Sequence, residues 1–185
     1  MSVPRKIDES WFRASSQHTT MSFLGAKAQE RTAPLGDGER QLGWLVLPPF
    51  QRPPVWTRQQ QVRFIESCWL GLPIGSFIYN RTERFNSPFD SWLLDGQQRV
   101  TAVLAYTSDE FPVFGYLFSE LEDADYRRWS MSVVFPNLVT NIDDEEALRD
   151  VYDRLAYGGT PHEPKTAQGG VTRQGGDACG SGPKD

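Results

Sequence analysis

The sequence predicts one α+β domain, close to the α/β class, in which helices pack on a small mixed sheet and both ends are flexible. Three observations carry this reading. Apolar runs of strand length recur along the middle of the chain, capped segments of helical period lie between them, and the polar and glycine-rich residues collect at the ends. At 185 residues the chain is long enough to bury a substantial core, roughly two-thirds of the surface its unfolded form exposes.

Residues 1–40 are mostly polar, with scattered Trp11, Phe12, Met21 and Phe23 and no sustained period, and are expected to form an arm with at most a short helix. Gly36-Asp37-Gly38 marks a turn before Leu42–Leu47, an apolar run read as the first strand of a domain spanning 41–163. Pro48–Trp56 holds four prolines in seven residues, which excludes a helix interior or a central strand and leaves a stiff loop carrying Gln51 and Arg52. Thr57 with Gln60 three residues on is a capping box, and Val62, Ile65 and Trp69 share a helical face that Gly71 ends. Leu72–Tyr79 reads as a second strand with Pro73 near its start, followed by a polar loop from Asn80 to Ser91.

Trp92–Asp95 is a third short strand, and Gln97 to about Tyr106 a helix burying Val100, Val103 and Leu104. Phe111–Phe118 has the composition of another strand, Ser119 with Glu122 that of a second capping box before a short acidic helix ending near Trp129, and Met131–Phe135 that of one more strand. Asp143 with Glu146 is expected to cap a helix in which Leu148, Val151, Tyr152 and Leu155 fall at i, i+3, i+4 and i+7. Pro164–Asp185 contains six glycines and almost nothing apolar, and is expected to be a disordered tail.

A net charge of −5 gives no general attraction to nucleic acid or to an anionic membrane, so a phosphate ligand must be held locally and any DNA contact is indirect or weak. Cys68 and Cys179 make neither a disulfide framework nor a metal cluster, no run reaches the length of a membrane span, and the first residues lack the apolar core of a signal peptide. A cytoplasmic, reducing setting is expected. His18 and His162 have no metal-ligand spacing with each other or with either cysteine, so no zinc site is expected. Cys68 reads as a small buried hydrophobe. The tryptophans read as core residues rather than as a base-stacking platform.

The chemistry gathers at Asp95-Gly96-Gln97-Gln98-Arg99, a strand-to-helix turn. The first N–H groups of a helix lack intrahelical partners and the dipole there is positive, so an anion is stabilised. Gly96 removes a side chain that would block close approach, Gln97 and Gln98 donate hydrogen bonds, and Arg99 offers a charged fork matched to phosphate oxygens. Asp95 suits a metal-bound or water-orienting role. The plain alternative is an ordinary turn with Asp95 as the cap and Arg99 paired to a surface acid. Gln51 and Arg52 on the stiff loop are a second candidate, against a solvated surface bend. Arg154 with Gly158, Gly159 and Thr160 is a third, against a glycine C-cap.

Phe50-Gln51-Arg52 in the proline-rich loop, Phe64-Ile65-Glu66-Ser67 leading to Gly71-Leu72-Pro73-Ile74-Gly75, and Leu94-Asp95-Gly96-Gln97-Gln98-Arg99-Val100-Thr101 occur in that order. Together they resemble the N-terminal domain of GmrSD-type restriction endonucleases, the DGQQR domain with a ParB/sulfiredoxin-like fold, over about residues 42–161. The resemblance implies nucleoside triphosphate binding and hydrolysis, with GTP or ATP and Mg²⁺, regulating cleavage of foreign DNA. Asp95 and Arg99 would be catalytic and Asp95 the metal ligand. Gln51, Arg52, Gly96, Gln97, Gln98, Arg99, Arg154, Gly158, Gly159 and Thr160 would bind the nucleotide. No nuclease domain is expected in this chain, so the cleaving partner would be a separately encoded HNH-type nuclease. One departure stands out: Ala156 occupies the position where the family usually carries Asn. The alternatives are a non-catalytic interaction or decoy module of such a system and a ParB-like DNA-binding protein.

Overall fold

The computed structural model describes residues 12–25, 34–84 and 86–157. The expected tail, and the turn at Gly158, Gly159 and Thr160, lie outside them. The described chain is α+β as expected, built on a four-stranded mixed sheet.

In chain order the elements are β1 (Ala14–Thr20), α1 (Ser22–Gly25), β2 (Arg40–Leu42), β3 (Leu45–Leu47), α2 (Arg58–Trp69), β4 (Phe77–Asn80), β5 (Leu93–Asp95), α3 (Gln97–Thr107), α4 (Asp123–Met131), β6 (Val134–Thr140) and α5 (Glu145–Tyr157). The sheet runs β1-β6-β4-β5, with β6 and β4 parallel and the outer pairs antiparallel.

Alternation along the inner strands divides the core in two. Phe77 and Tyr79 of β4 and Leu93 of β5 join the larger cluster, where Ile65 of α2, Val100 and Val103 of α3 and Trp129 of α4 are buried. Ile78 and Leu94, one residue out of phase, join Trp92, Leu148 and Val151 on the other side, where α5 packs. A sheet covered on both faces has strands that read as unbroken apolar runs, which is how Phe77-Ile78-Tyr79 is written. Four of the tryptophans, Trp44, Trp69, Trp92 and Trp129, are buried, as expected of core residues.

The capping box of α2 forms as the spacing predicts: the Thr57 hydroxyl accepts from the Gln60 N–H, and the Gln60 side chain accepts from the Thr57 N–H at 2.8 Å. Gly71, at a φ of 72°, turns the chain out of the helix.

Several expectations are corrected. The N-terminal arm contains β1, paired with β6 from Ala14↔Thr140 to Thr20↔Val134, and it buries Met21 and Leu24. Its outward residues are polar because it is the edge strand, so no apolar period marks it. Leu42–Leu47 is a hairpin rather than a strand, since Gly43 at a φ of 62° reverses the chain between β2 and β3. The second strand begins only at Phe77, and Leu72 is exposed. Phe111–Phe118 is turned back on itself at Phe114 and Gly115, both at positive φ, and ends in a short 3₁₀ helix at Phe118–Glu120. The Ser119–Glu122 box does not form, because the Ser119 N–H donates instead to the Asp109 carboxylate at 2.8 Å. The strand expected at Met131–Phe135 is displaced to β6. Asp144, not Asp143, caps α5, accepting from the Ala147 N–H at 2.8 Å, and Leu155 on that helix is exposed.

Candidate functional site

A cleft of about 320 Å³ opens where β5 ends, walled by the N-terminal turn of α3, the proline-rich loop and the last turns of α5. Gln51, Arg52, Asp95, Gly96, Gln97, Gln98 and Arg99 line it together, so two segments separated by more than forty residues in sequence meet at one place. Ala156 lines it as well. Arg154 does not: it pairs with Asp150 at 2.8 Å and is largely exposed, and that pairing holds its guanidinium pKa above the usual arginine value.

The turn is built by contact with β4. Asp95 pairs with Ile78 across the sheet, and a register shift lies between Ile78 and Tyr79. Gly96 then takes a φ of 94°, and a Cβ there would sit 2.5 Å from the Phe77 Cβ and 2.9 Å from its Cα. Glycine is therefore required both by the left-handed conformation and by the closeness of the neighbouring strand. Gly96 is also the N-cap of α3 and supplies no side-chain hydrogen bond to the helix. The opening N–H groups of α3 thus receive no side-chain cap, unlike those of α2.

Asp95 does not cap the helix. Its carboxylate accepts from Arg99 Nη2 at 2.8 Å, one helical turn on, and the same Nη2 donates to the Ser76 carbonyl at 2.6 Å. Arg99 is thereby held in place with Nε buried and without a hydrogen-bond acceptor in the protein. Of the plain alternative, Asp95 as the cap is overturned, since Gly96 takes the N-cap position, while Arg99 does pair with an acid at the surface, the half-exposed Asp95 itself. The charged side chains on the cleft are Arg52, Arg99 and Asp95, a net +1 on a chain of net −5.

Gln98 serves the wall itself: its side-chain oxygen accepts from the Val55 and Trp56 N–H groups at 3.2 and 3.1 Å. Gln51 is buried and donates from Nε2 to the Leu93 carbonyl at 2.8 Å. Phe50 beside it anchors the loop, its ring 5.6 Å from Trp92 and 5.1 Å from Tyr152. The Tyr152 hydroxyl accepts from the Arg52 N–H at 3.3 Å.

Trp56 and Tyr152 were not singled out for this site by their sequence context, yet both line it. Tyr152 lies one turn before Ala156 on α5, and that i, i+4 relation is the signal that points to it. Cys68 is 3% exposed, as expected, and burial pushes its thiol pKa up to about 12. No helix among the described residues is long and apolar enough to cross a membrane.

The chain is thus an α+β module in which a mixed sheet presents an uncapped, arginine-bearing helix turn to a loop-walled cleft. The family model of the GmrSD restriction endonuclease N-terminal domain matches residues 35–155, and the chain belongs to that family. It is accordingly a module of a restriction or defence system. Comparison with curated proteins gives no match, and comparison with solved structures gives none.

Proposed function

We propose that the cleft binds a nucleoside triphosphate, GTP or ATP, with its phosphates against the N-terminal turn of α3. The observation that carries this reading is the Asp95–Arg99 turn: uncapped helix amides, a glycine that keeps the approach open, and a positioned guanidinium whose buried Nε lacks an acceptor. A phosphate oxygen supplies what Nε lacks. Arg52 adds the second positive charge of the cleft.

Asp95 fits a Mg²⁺ ion that arrives with the nucleotide. It is the carboxylate of the cleft, and among the described residues there is no group of three or more His, Cys, Asp or Glu that could hold a metal by protein ligands alone. One carboxylate with phosphate oxygens and water is an ordinary Mg²⁺ donor set. The ion would neutralise phosphate charge and lower the barrier to attack by water.

Cleavage of DNA would belong to an HNH-type nuclease, with the nucleotide state of this domain governing it. The competing reading, a binding or decoy module without turnover, is favoured by Ala156, which lines the cleft at the position where the resemblance implies an amide side chain. It would differ from the first in chemistry but not in ligand.

The test combines binding and turnover. GTP or ATP with Mg²⁺ should raise the melting temperature of the wild type and leave Arg99→Ala unmoved, with circular dichroism showing that the variant is folded. Equal stabilisation of both proteins would sink the assignment. Phosphate release that Asp95→Asn abolishes identifies an NTPase, and binding without release identifies the non-catalytic module.

A further inference from the structure

Gln51 is 6% exposed, and its amide is divided unequally. Nε2 donates to the Leu93 carbonyl at 2.8 Å, while Oε1 is buried with no hydrogen-bond partner in the protein. The orientation is fixed by chemistry, because a carbonyl only accepts and the NH₂ end must face it. The main chain is fixed too: the Gln51 N–H donates to the Pro48 carbonyl at 3.0 Å, and its own carbonyl accepts from Arg40 Nη2 at 2.8 Å. Gln51 lines the cleft, and the one polar atom of its side chain left uncommitted is an acceptor.

A phosphate oxygen at neutral pH carries no hydrogen to give and cannot satisfy that atom. Orphaned buried acceptors are uncommon in native proteins, because desolvation is not repaid without a donor. Arg99, which lines the same cleft, has the complementary deficiency at its Nε, a donor without an acceptor. The two point to a ligand with an anionic end and an end bearing O–H or N–H. Trp56, half-buried on the loop that carries Gln51, adds an aromatic side chain to the lining, and aromatic rings are what nucleic-acid bases stack on.

We propose that Gln51 is the specificity residue of the cleft, accepting a hydrogen bond from the nucleoside half of the ligand rather than contacting its phosphates. The inference rests on the nucleotide-binding reading above. The donor is a ribose hydroxyl or an amino group of the base, and these are one chemistry from two sources.

Affinities of the full chain for GTP and ATP with Mg²⁺ would be compared with those for the 2′-deoxy and 3′-deoxy triphosphates. Inosine triphosphate, which lacks the amino group of GTP, and purine riboside triphosphate, which lacks that of ATP, complete the series. A site built around a hydrogen bond discriminates against the analogue that lacks it. One analogue should bind about tenfold weaker than its parent to the wild type, and that difference should vanish in Gln51→Met, which removes the acceptor at similar volume. A purely structural role for Gln51 would weaken parent and analogue alike and leave their ratio unchanged.

The proposal is overturned if every analogue binds the wild type as its parent does, or if the discrimination persists in Gln51→Met. If that variant does not fold, the side-chain amide resonance of Gln51 in the wild type decides: it should shift with the parent nucleotide and not with the discriminated analogue, and equal shifts overturn the assignment. Failure of all triphosphates to bind the wild type would be a failure of the nucleotide reading itself.

Discussion

Gln98 and Trp56 are joined by a 3.1 Å hydrogen bond in which the side-chain oxygen of the second residue of α3 accepts from a main-chain N–H of the proline-rich loop. Val55 donates to the same oxygen at 3.2 Å. Pro53 and Pro54 have no N–H, so these are the first two donors after the proline pair, and one side chain receives both. The loop is thereby tied to the helix turn that it faces across the cleft.

Removing that oxygen has a local readout. Gln98→Ala should destabilise the domain by roughly 1–2 kcal/mol in chemical denaturation, the usual range for a lost hydrogen bond with a partly desolvated partner. Amide exchange at Val55 and Trp56 should quicken while the interior of α3 stays protected. Gln98→Glu keeps an acceptor at the same place and should retain most of the protection. Unchanged exchange at both amides in Gln98→Ala would show that the prolines alone hold the loop.

Gly96→Ala should be far more damaging than its size implies. The left-handed φ of 94° costs a side chain about 1–2 kcal/mol, and the 2.5 Å approach to Phe77 adds an overpacking term of about 1–3 kcal/mol that Phe77, fully buried, has little room to relieve. A loss of about 3 kcal/mol or more in unfolding free energy is expected. By contrast Gly71→Ala, where nothing lies within 4 Å of the added carbon, should show only the conformational part. Equal effects at the two glycines would mean that β4 yields at Phe77.

What the sequence made legible was local. The Thr57–Gln60 box and the apolar period of α2 lie within one stretch of chain, and the strand, glycine and helix from Leu93 to Thr107 are written contiguously, so neither needed knowledge of the fold. The strand β1 was illegible because its partner is β6, more than a hundred residues away, and its exposed edge allows the polar run Ser15-Ser16-Gln17. The Leu42–Leu47 run reads as a single strand because its apolar content outweighs one glycine, although Gly43 is the turn signal. In the site, residue types announced Asp95 to Arg99 and Gln51-Arg52, but not which atoms were already engaged. That Gln98 braces a wall and that Gln51 has only its oxygen to offer are facts of the packed state. Tyr152 was hidden for a different reason: its ring belongs to the apolar face of α5 and its hydroxyl to the cleft, and periodicity reports only the ring.

Asp143, displaced from its expected capping role by Asp144, provides a pH-dependent clamp instead. Its carboxylate accepts from the Ser87 hydroxyl at 2.7 Å and from Arg84 Nη1 at 2.9 Å, and these bonds hold its pKa below the usual aspartate value. A depressed folded-state pKa means that the unfolded chain binds the proton more readily. The stabilisation is therefore complete above the unfolded aspartate value, about 3.9, and is lost as pH falls through the lower folded one. Asp109 is depressed as well, through the Ser119 N–H, so the acid response of the whole domain mixes both residues. The difference between wild type and Asp143→Asn isolates one of them. That difference in melting temperature should be largest near neutral pH and shrink steadily below about pH 4, while Asp109→Asn shows its own decline independently. A gap that stays constant from neutral to acid would place the Asp143 contribution in packing rather than in its charge.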